Sequence, residues 1–190
     1  FMAMPTRSEA LRRLGLNLLD QSGVVGHTDD DLRIMFAGQR VGVTAKTFID
    51  NDAFELLGAT DADDLAAQFN LLAAKVKAPA FSEDVAAQYF RKIRAWYPTH
   101  DSSPQETVRK YLPRLVRSGH KAYGFDDLDS FMEPTIADAR SWIEPEMANG
   151  LIEVTVVGDI DKQSVVDQVA RTFGALPERA DTKGDYPVMG

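Results

Sequence analysis

The stretch that most constrains the fold is Leu151 to Pro177, LIEVTVVGDIDKQSVVDQVARTFGALP. Its first seven residues are β-branched or apolar at most positions and stop at Gly158, the pattern of a strand. Asp159 and Asp161 then open a helix with Val165, Val166, Val169 and Phe173 on one side, and Gly174 closes it. A strand followed by an amphipathic helix has to rest on a sheet and on other helices, because neither can bury its apolar side alone.

The rest of the chain is mostly helical in period. The run Thr6-Arg7-Ser8-Glu9 reads as a capping box, opening a helix that turns Leu11, Leu14, Leu18 and Leu19 inward before Ser22-Gly23 stops it. A short helix from Asp29 to Phe36 follows Thr28, with Gly38 as its C-terminal cap. The period then changes from helical to alternating. Val41, Val43, Ala45 and Thr47 alternate with Gly42, Thr44, Lys46 and Phe48; Ile49 to Asp52 reads as a turn, and Ala53 to Ala59 returns as a second strand. Thr60 is expected to cap a helix reaching Val76, ended by Pro79. Ser82 opens a helix striped by Val85, Tyr89, Ile93 and Trp96, and Ser103-Pro104-Gln105-Glu106 opens another that contains Pro113. A short helix near Asp126 to Phe131 precedes one that starts at Thr135 and is expected to end at Pro145.

This order predicts an α+β fold: one antiparallel sheet of Arg40–Phe48, Ala53–Ala59 and Leu151–Val157, with helices packed on one face. Residues 1–177 read as one domain and 178–190 as a linker or tail. Gly15, inside the first helix, is expected to let that helix approach the sheet closely, since a mid-helix glycine costs ~1 kcal/mol.

Composition removes several classes of function. With 21 Lys and Arg scattered against 29 Asp and Glu, the chain has a net charge of −8 and no basic patch for nucleic acid. The absence of cysteine excludes disulfides, thiolate zinc ligands and thiol nucleophiles. No apolar run is long enough to span a bilayer. The start, FMAMPTRSEA, lacks the basic and apolar regions of a signal peptide and reads as a cut inside a longer protein.

Isolated polar residues do not assemble a site by spacing. His27-Thr28-Asp29-Asp30-Asp31 reads as a helix N-terminus, His100-Asp101 as a loop, and His120 as a cation after Gly119. Ser102 and Ser103 lack a nucleophile-elbow context. Gly23, Gly26 and Gly38 lack the strand and Lys-Ser/Thr of a phosphate loop. The aromatic set Tyr89, Phe90, Trp96 and Tyr97 reads as core.

The run VTVVGDID followed by a helix ending FGALP resembles the end of a domain of the insulinase-like (pitrilysin, M16) zinc metallopeptidases, and the likeness extends over Ser8 to Pro177. In an active domain of that family the first helix carries His-x-x-Glu-His, two zinc ligands and a general base. The resemblance places Arg13 and Asn17 at the His positions and Leu16 at the Glu position. It places the third ligand, a Glu, on the Glu83–Tyr97 helix, whose interior AAQYFRKIRAW has no carboxylate. The family's substrate-holding Arg…Gly-Leu-Ala-Tyr signature is also departed from in Gln39-Arg40-Val41-Gly42-Val43, so neither Arg40 nor any other residue is carried over as a substrate contact.

What the resemblance implies is a non-catalytic domain with no catalytic or metal-binding residue of its own. It would form a wall of a peptide-degradation chamber and position peptides for zinc held on a partner catalytic domain, in the same or a separate chain. The alternative is a non-enzymatic structural or assembly protein of the same fold, as respiratory-complex core subunits are; an unrelated α+β ligand-binding module is a third reading. The family includes bacterial periplasmic members, while the sequence itself leaves the compartment open. Since family domains begin with strands before the first helix, the sheet is expected to be incomplete, with an edge that pairs with a second copy or with the tail Glu178 to Gly190.

Overall fold

The computed structural model describes residues 9–48, 53–120, 123–125 and 127–179. The caps read at Thr6 to Ser8, the turn at Ile49 to Asp52 and the tail beyond Arg179 lie outside them. The domain is mostly helical, with a small two-stranded antiparallel sheet.

Helix α1 (Glu9–Gln21) is the centre of the molecule. Its i, i+4, i+8 stripe of Ala10, Leu14 and Leu18, with Leu19, is at most 1% exposed. Each leucine removed from water in this way stabilises the fold by roughly 2 kcal/mol. Around it pack α4 (Glu83–Trp96), α6 (Leu128–Met132), α7 (Ile136–Asn149) and the hairpin β1 (Thr44–Phe48) and β2 (Ala53–Leu57). Phe131 and Ile143 complete the core, and Trp96, Tyr97, Phe125 and Phe131 meet edge to face at its rim. The aromatic set Tyr89, Phe90, Trp96 and Tyr97 does belong to this core. Gly15 permits a close approach, but to α7 and not to the sheet: a Cβ there would lie 2.8 Å from Cζ3 of Trp142.

Several caps form as the sequence predicts. The side chains of Thr28, Ser82, Ser103, Thr135 and Asp161 each accept a hydrogen bond from a backbone N–H in the first turn of α2 (Asp29–Met35), α4, α5 (Pro104–Val116), α7 and α8 (Lys162–Arg171) respectively. Helix α3 (Leu65–Lys77) starts later than Thr60, because Asp61 accepts the Asp64 N–H in a turn that precedes it. Helix α7 passes through Pro145 and ends at Asn149. The proline gives up one helical hydrogen bond. Burial of Trp142 and Ile143 before it and Met147 after it holds the two halves in one helix.

The expected three-stranded sheet is not formed. The hairpin pairs Thr44↔Leu57 through Phe48↔Ala53 and stops there. Residues 40–43 are withdrawn from the ladder because other groups take their backbone. Gly42 donates its N–H to Oε1 of Gln68 (3.0 Å) and accepts from Nε2 of Gln68 (2.9 Å), and the Arg40 N–H goes to Asp64. Among the described residues the segment Leu151–Val157 joins no sheet. Among the described residues no backbone hydrogen bond is made by 151–157, although their side chains have the β pattern. β-propensity describes what a segment can pair as; the ladder also needs a neighbour at the right distance. Leu151 and Ile152 are half-buried, while Val154, Val156 and Val157 face solvent. Helix α8 likewise buries no residue fully, and Phe173 beyond it meets Phe69 of α3 edge to face.

Helix α5 is inverted relative to a usual surface helix. Its buried residue is Lys110, whose ammonium sits 4.7 Å from the Tyr97 ring centroid. Val108, Tyr111, Leu112, Leu115 and Val116 face outward.

Candidate functional site

Arg13, Leu16, Asn17 and Asp20 recur at three- and four-residue spacing, so they form one stripe along α1 beside the buried one. The stripe borders an open cleft of about 280 Å³ whose far side is Tyr89 and Ile93 of α4, with Ala45 of β1 alongside. The structure thus brings together the three positions on which the family resemblance turns, and adds Tyr89 and Asp20.

Each polar group in or beside the cleft has a definite state. Glu9, with its side chain 4% exposed, is clamped by two cations: Arg12 donates to it from Nε (2.9 Å) and NH2, and Arg13 from Nε (2.6 Å). Arg12 also reaches Oγ1 of Thr47 on β1. The Arg13 guanidinium lies 4.6 Å from the Phe125 ring centroid and 5.2 Å from that of Trp96. Its terminal nitrogens make no hydrogen bond among the described residues, and the side chain is 33% exposed. Asn17 makes no side-chain hydrogen bond among them either. Asp20 accepts the Ala45 N–H (2.8 Å) and the Gln21 amide (2.5 Å). Tyr89 is 6% exposed, and its buried hydroxyl has no partner among the described residues. Burial pushes that phenol well above its ordinary range, with Arg13 drawing it partly back.

This donor set does not fit zinc. A guanidinium cannot ligate a cation, leucine has no donor atom, and α4 brings Tyr89 and Ile93 to the cleft and no carboxylate. Among the described residues no three His, Cys, Asp or Glu side chains stand together as a metal site. What the cleft can do is donate hydrogen bonds and hold charge.

The scattered candidates lie elsewhere. His27 and Thr28 serve the entry to α2, where Thr28 and Asp31 form a capping box that holds the Asp31 carboxyl below its ordinary range. Gly23 has φ +77° and a Cβ there would strike the His27 carbonyl, so it is a turn residue rather than part of a phosphate loop. Ser103 caps α5, Ser102 bonds the Thr99 carbonyl, and His100 is within the 3₁₀ turn Tyr97–Asp101. His120 meets Tyr123 edge to face at 5.6 Å. Arg40 is exposed at the mouth of the hairpin. A second cleft, about 190 Å³, lies under residues 151–155 against Phe54, Leu56 and Met147. No helix is long and apolar enough to cross a membrane among the described residues.

No protein-family model matches the sequence. Protein YhjJ of Escherichia coli (strain K12) is 30% identical over 81 residues, 40% of this chain and 16% of that protein. The backbone is more informative. A protease from Helicobacter pylori superposes over 95% of this chain with a TM-score of 0.68 at 18% identity. The ferredoxin protease FusC, solved in complex with Arabidopsis ferredoxin, does so over 93% with a TM-score of 0.67 at 17% identity. The periplasmic protease PqqL from Escherichia coli does so over 94% with a TM-score of 0.63 at 17% identity. The fold is that of M16 (pitrilysin-type) protease domains. This chain spans 44%, 19% and 20% of those three structures. Tyr89 escaped a reading by spacing because its place in the cleft comes from the packing of α4 on α1, which no linear motif encodes.

Proposed function

We propose that this chain is a non-catalytic M16-type domain that forms one wall of a peptide-degradation chamber and positions peptide for hydrolysis by zinc on a partner catalytic domain. The observation that carries the reading is the stripe Arg13, Leu16, Asn17 on α1, which borders an open cleft and offers neither the two imidazoles nor the carboxylate that the family resemblance would place there. Two further features support it. The β-patterned run Leu151–Val157 has no ladder partner among the described residues and α5 turns an apolar stripe to solvent, so the domain offers faces for a neighbour of the same fold.

The test is reconstitution. The chain alone is assayed against a fluorogenic peptide library with and without zinc, then together with M16-type domains of the same organism that carry His-x-x-Glu-His. The reading expects no turnover by the chain alone, and chelator-sensitive turnover that rises when the two are combined. Peptidase activity in the chain alone, abolished by chelator, overturns it. So does a catalytic domain whose peptide turnover is indifferent to this chain.

A further inference from the structure

The cleft on α1 has opposite charge at its two ends. At one end Glu9, Arg12 and Arg13 sum to a net positive charge, with the terminal nitrogens of Arg13 left for another acceptor. At the other end stands the Asp20 carboxylate. Its oxygens accept from the Ala45 N–H and the Gln21 amide, and each retains a lone pair for a further donor. Lys75, buried nearby, does not neutralise it directly, since its ammonium bonds the carbonyls of Leu19 and Asp20. Between the ends lie Asn17 and the buried Tyr89, neither with a side-chain hydrogen bond among the described residues.

The geometry points to a binding site for a short zwitterionic peptide, its carboxylate at Arg13, its amide groups on Asn17 beside the Tyr89 ring, and its ammonium at Asp20. The distances agree. Seven residues of helix separate Arg13 from Asp20, which is about 10 Å at 1.5 Å per residue. Three residues of extended chain span about 10 Å. A cleft of about 280 Å³ lies at the small end of ligand sites and suits a peptide of that size rather than a folded substrate. The site deepens the chamber-wall reading and rests on it, because a degradation chamber is where peptides with both ends free accumulate.

The probes are trialanine, its N-acetyl form and its C-terminal amide, titrated into the purified chain and followed by backbone amide NMR shifts. Trialanine should bind with shifts concentrated at residues 13–20 and at Tyr89, and each blocked peptide should bind about tenfold more weakly. Asp20→Asn keeps an acceptor for the Ala45 N–H, so it should weaken trialanine to the level of the acetylated peptide and leave the acetylated peptide itself unchanged. Asn17→Leu, at a half-exposed position, should weaken all three. Equal binding of the three peptides, shifts located elsewhere, or no binding at about 10 mM overturns the proposal. A chain that binds no tripeptide yet raises the turnover of its catalytic partner sinks this site and leaves the proposed function standing; one that binds trialanine as described and has no effect on turnover does the reverse.

Discussion

Replacing Gly15 by alanine tests how closely α1 lies on α7. At a solvated mid-helix position the change would stabilise by about 1 kcal/mol, since alanine is the better helix former. Here the added methyl would lie 2.8 Å from Cζ3 and 3.0 Å from Cε3 of Trp142, and 3.1 Å from Cδ1 of Ile143. Carbon atoms rest at about 3.5–4.0 Å, so all three contacts are compressed. Neither neighbour can retreat. Trp142 is 2% exposed and its ring is tilted against Phe54 at 5.0 Å, and Ile143 is 0% exposed. Overpacking of this kind costs about 1–3 kcal/mol, which outweighs the propensity gain. The expected net loss is about 1 kcal/mol, a fall of roughly 2–4 °C in Tm for a chain of this length. Gly15→Leu should cost more. Trp142→Phe removes the obstructing ring edge, so in that background Gly15→Ala should turn neutral or stabilising, a coupling of about 1 kcal/mol or more in a double-mutant cycle. Urea unfolding of the four proteins measures it. If Gly15→Ala stabilises the parent chain, α1 and α7 are not packed as described.

Two other outcomes follow from buried polar groups. Burial lowers the Lys75 ammonium below its ordinary range, with Asp29 and Asp20 partly opposing. The unfolded chain therefore keeps this proton where the folded chain has lost it, and stability should rise with pH as it approaches the unfolded value of about 10.4. Urea midpoints measured from neutral pH upward should show that slope, and Lys75→Met should flatten it. Gln68→Leu should cost about 1–3 kcal/mol, because the N–H and C=O of Gly42 both lose their partner. Amide exchange at Gly42 should accelerate in that variant well before global unfolding.

How far the sequence was legible depended on whether the information was local. The caps at Ser82, Ser103, Thr135 and Asp161 were readable because each is settled within three residues. The hairpin was readable from its alternation, but its length was not, since Gln68, 26 residues from Gly42, decides where the ladder ends. Pro145 was misread for the same reason. A proline ends a helix only when nothing outside holds the two halves together, and here the core does. Leu151–Val157 carries strand chemistry without a ladder partner among the described residues. On the site, Arg13, Leu16 and Asn17 could be placed on one stripe by helical spacing. The cleft itself needed the crossing of α4, and the unsatisfied hydroxyl of Tyr89 and the clamp on Glu9 are facts of packing.

The inversion of α5 bears on how this domain unfolds. Denaturant sensitivity and the heat capacity of unfolding both scale with the apolar surface newly exposed to water. Val108, Tyr111, Leu112, Leu115 and Val116 already stand in water in the folded chain, and so do Val154, Val156 and Val157. Melting adds little at these places. The domain by itself should therefore show a shallower urea slope and a smaller heat-capacity step than a chain of equal length with its apolar faces covered. Engagement of either face by another surface should carry a negative heat-capacity change of its own, so calorimetry can detect a neighbour before its identity is known.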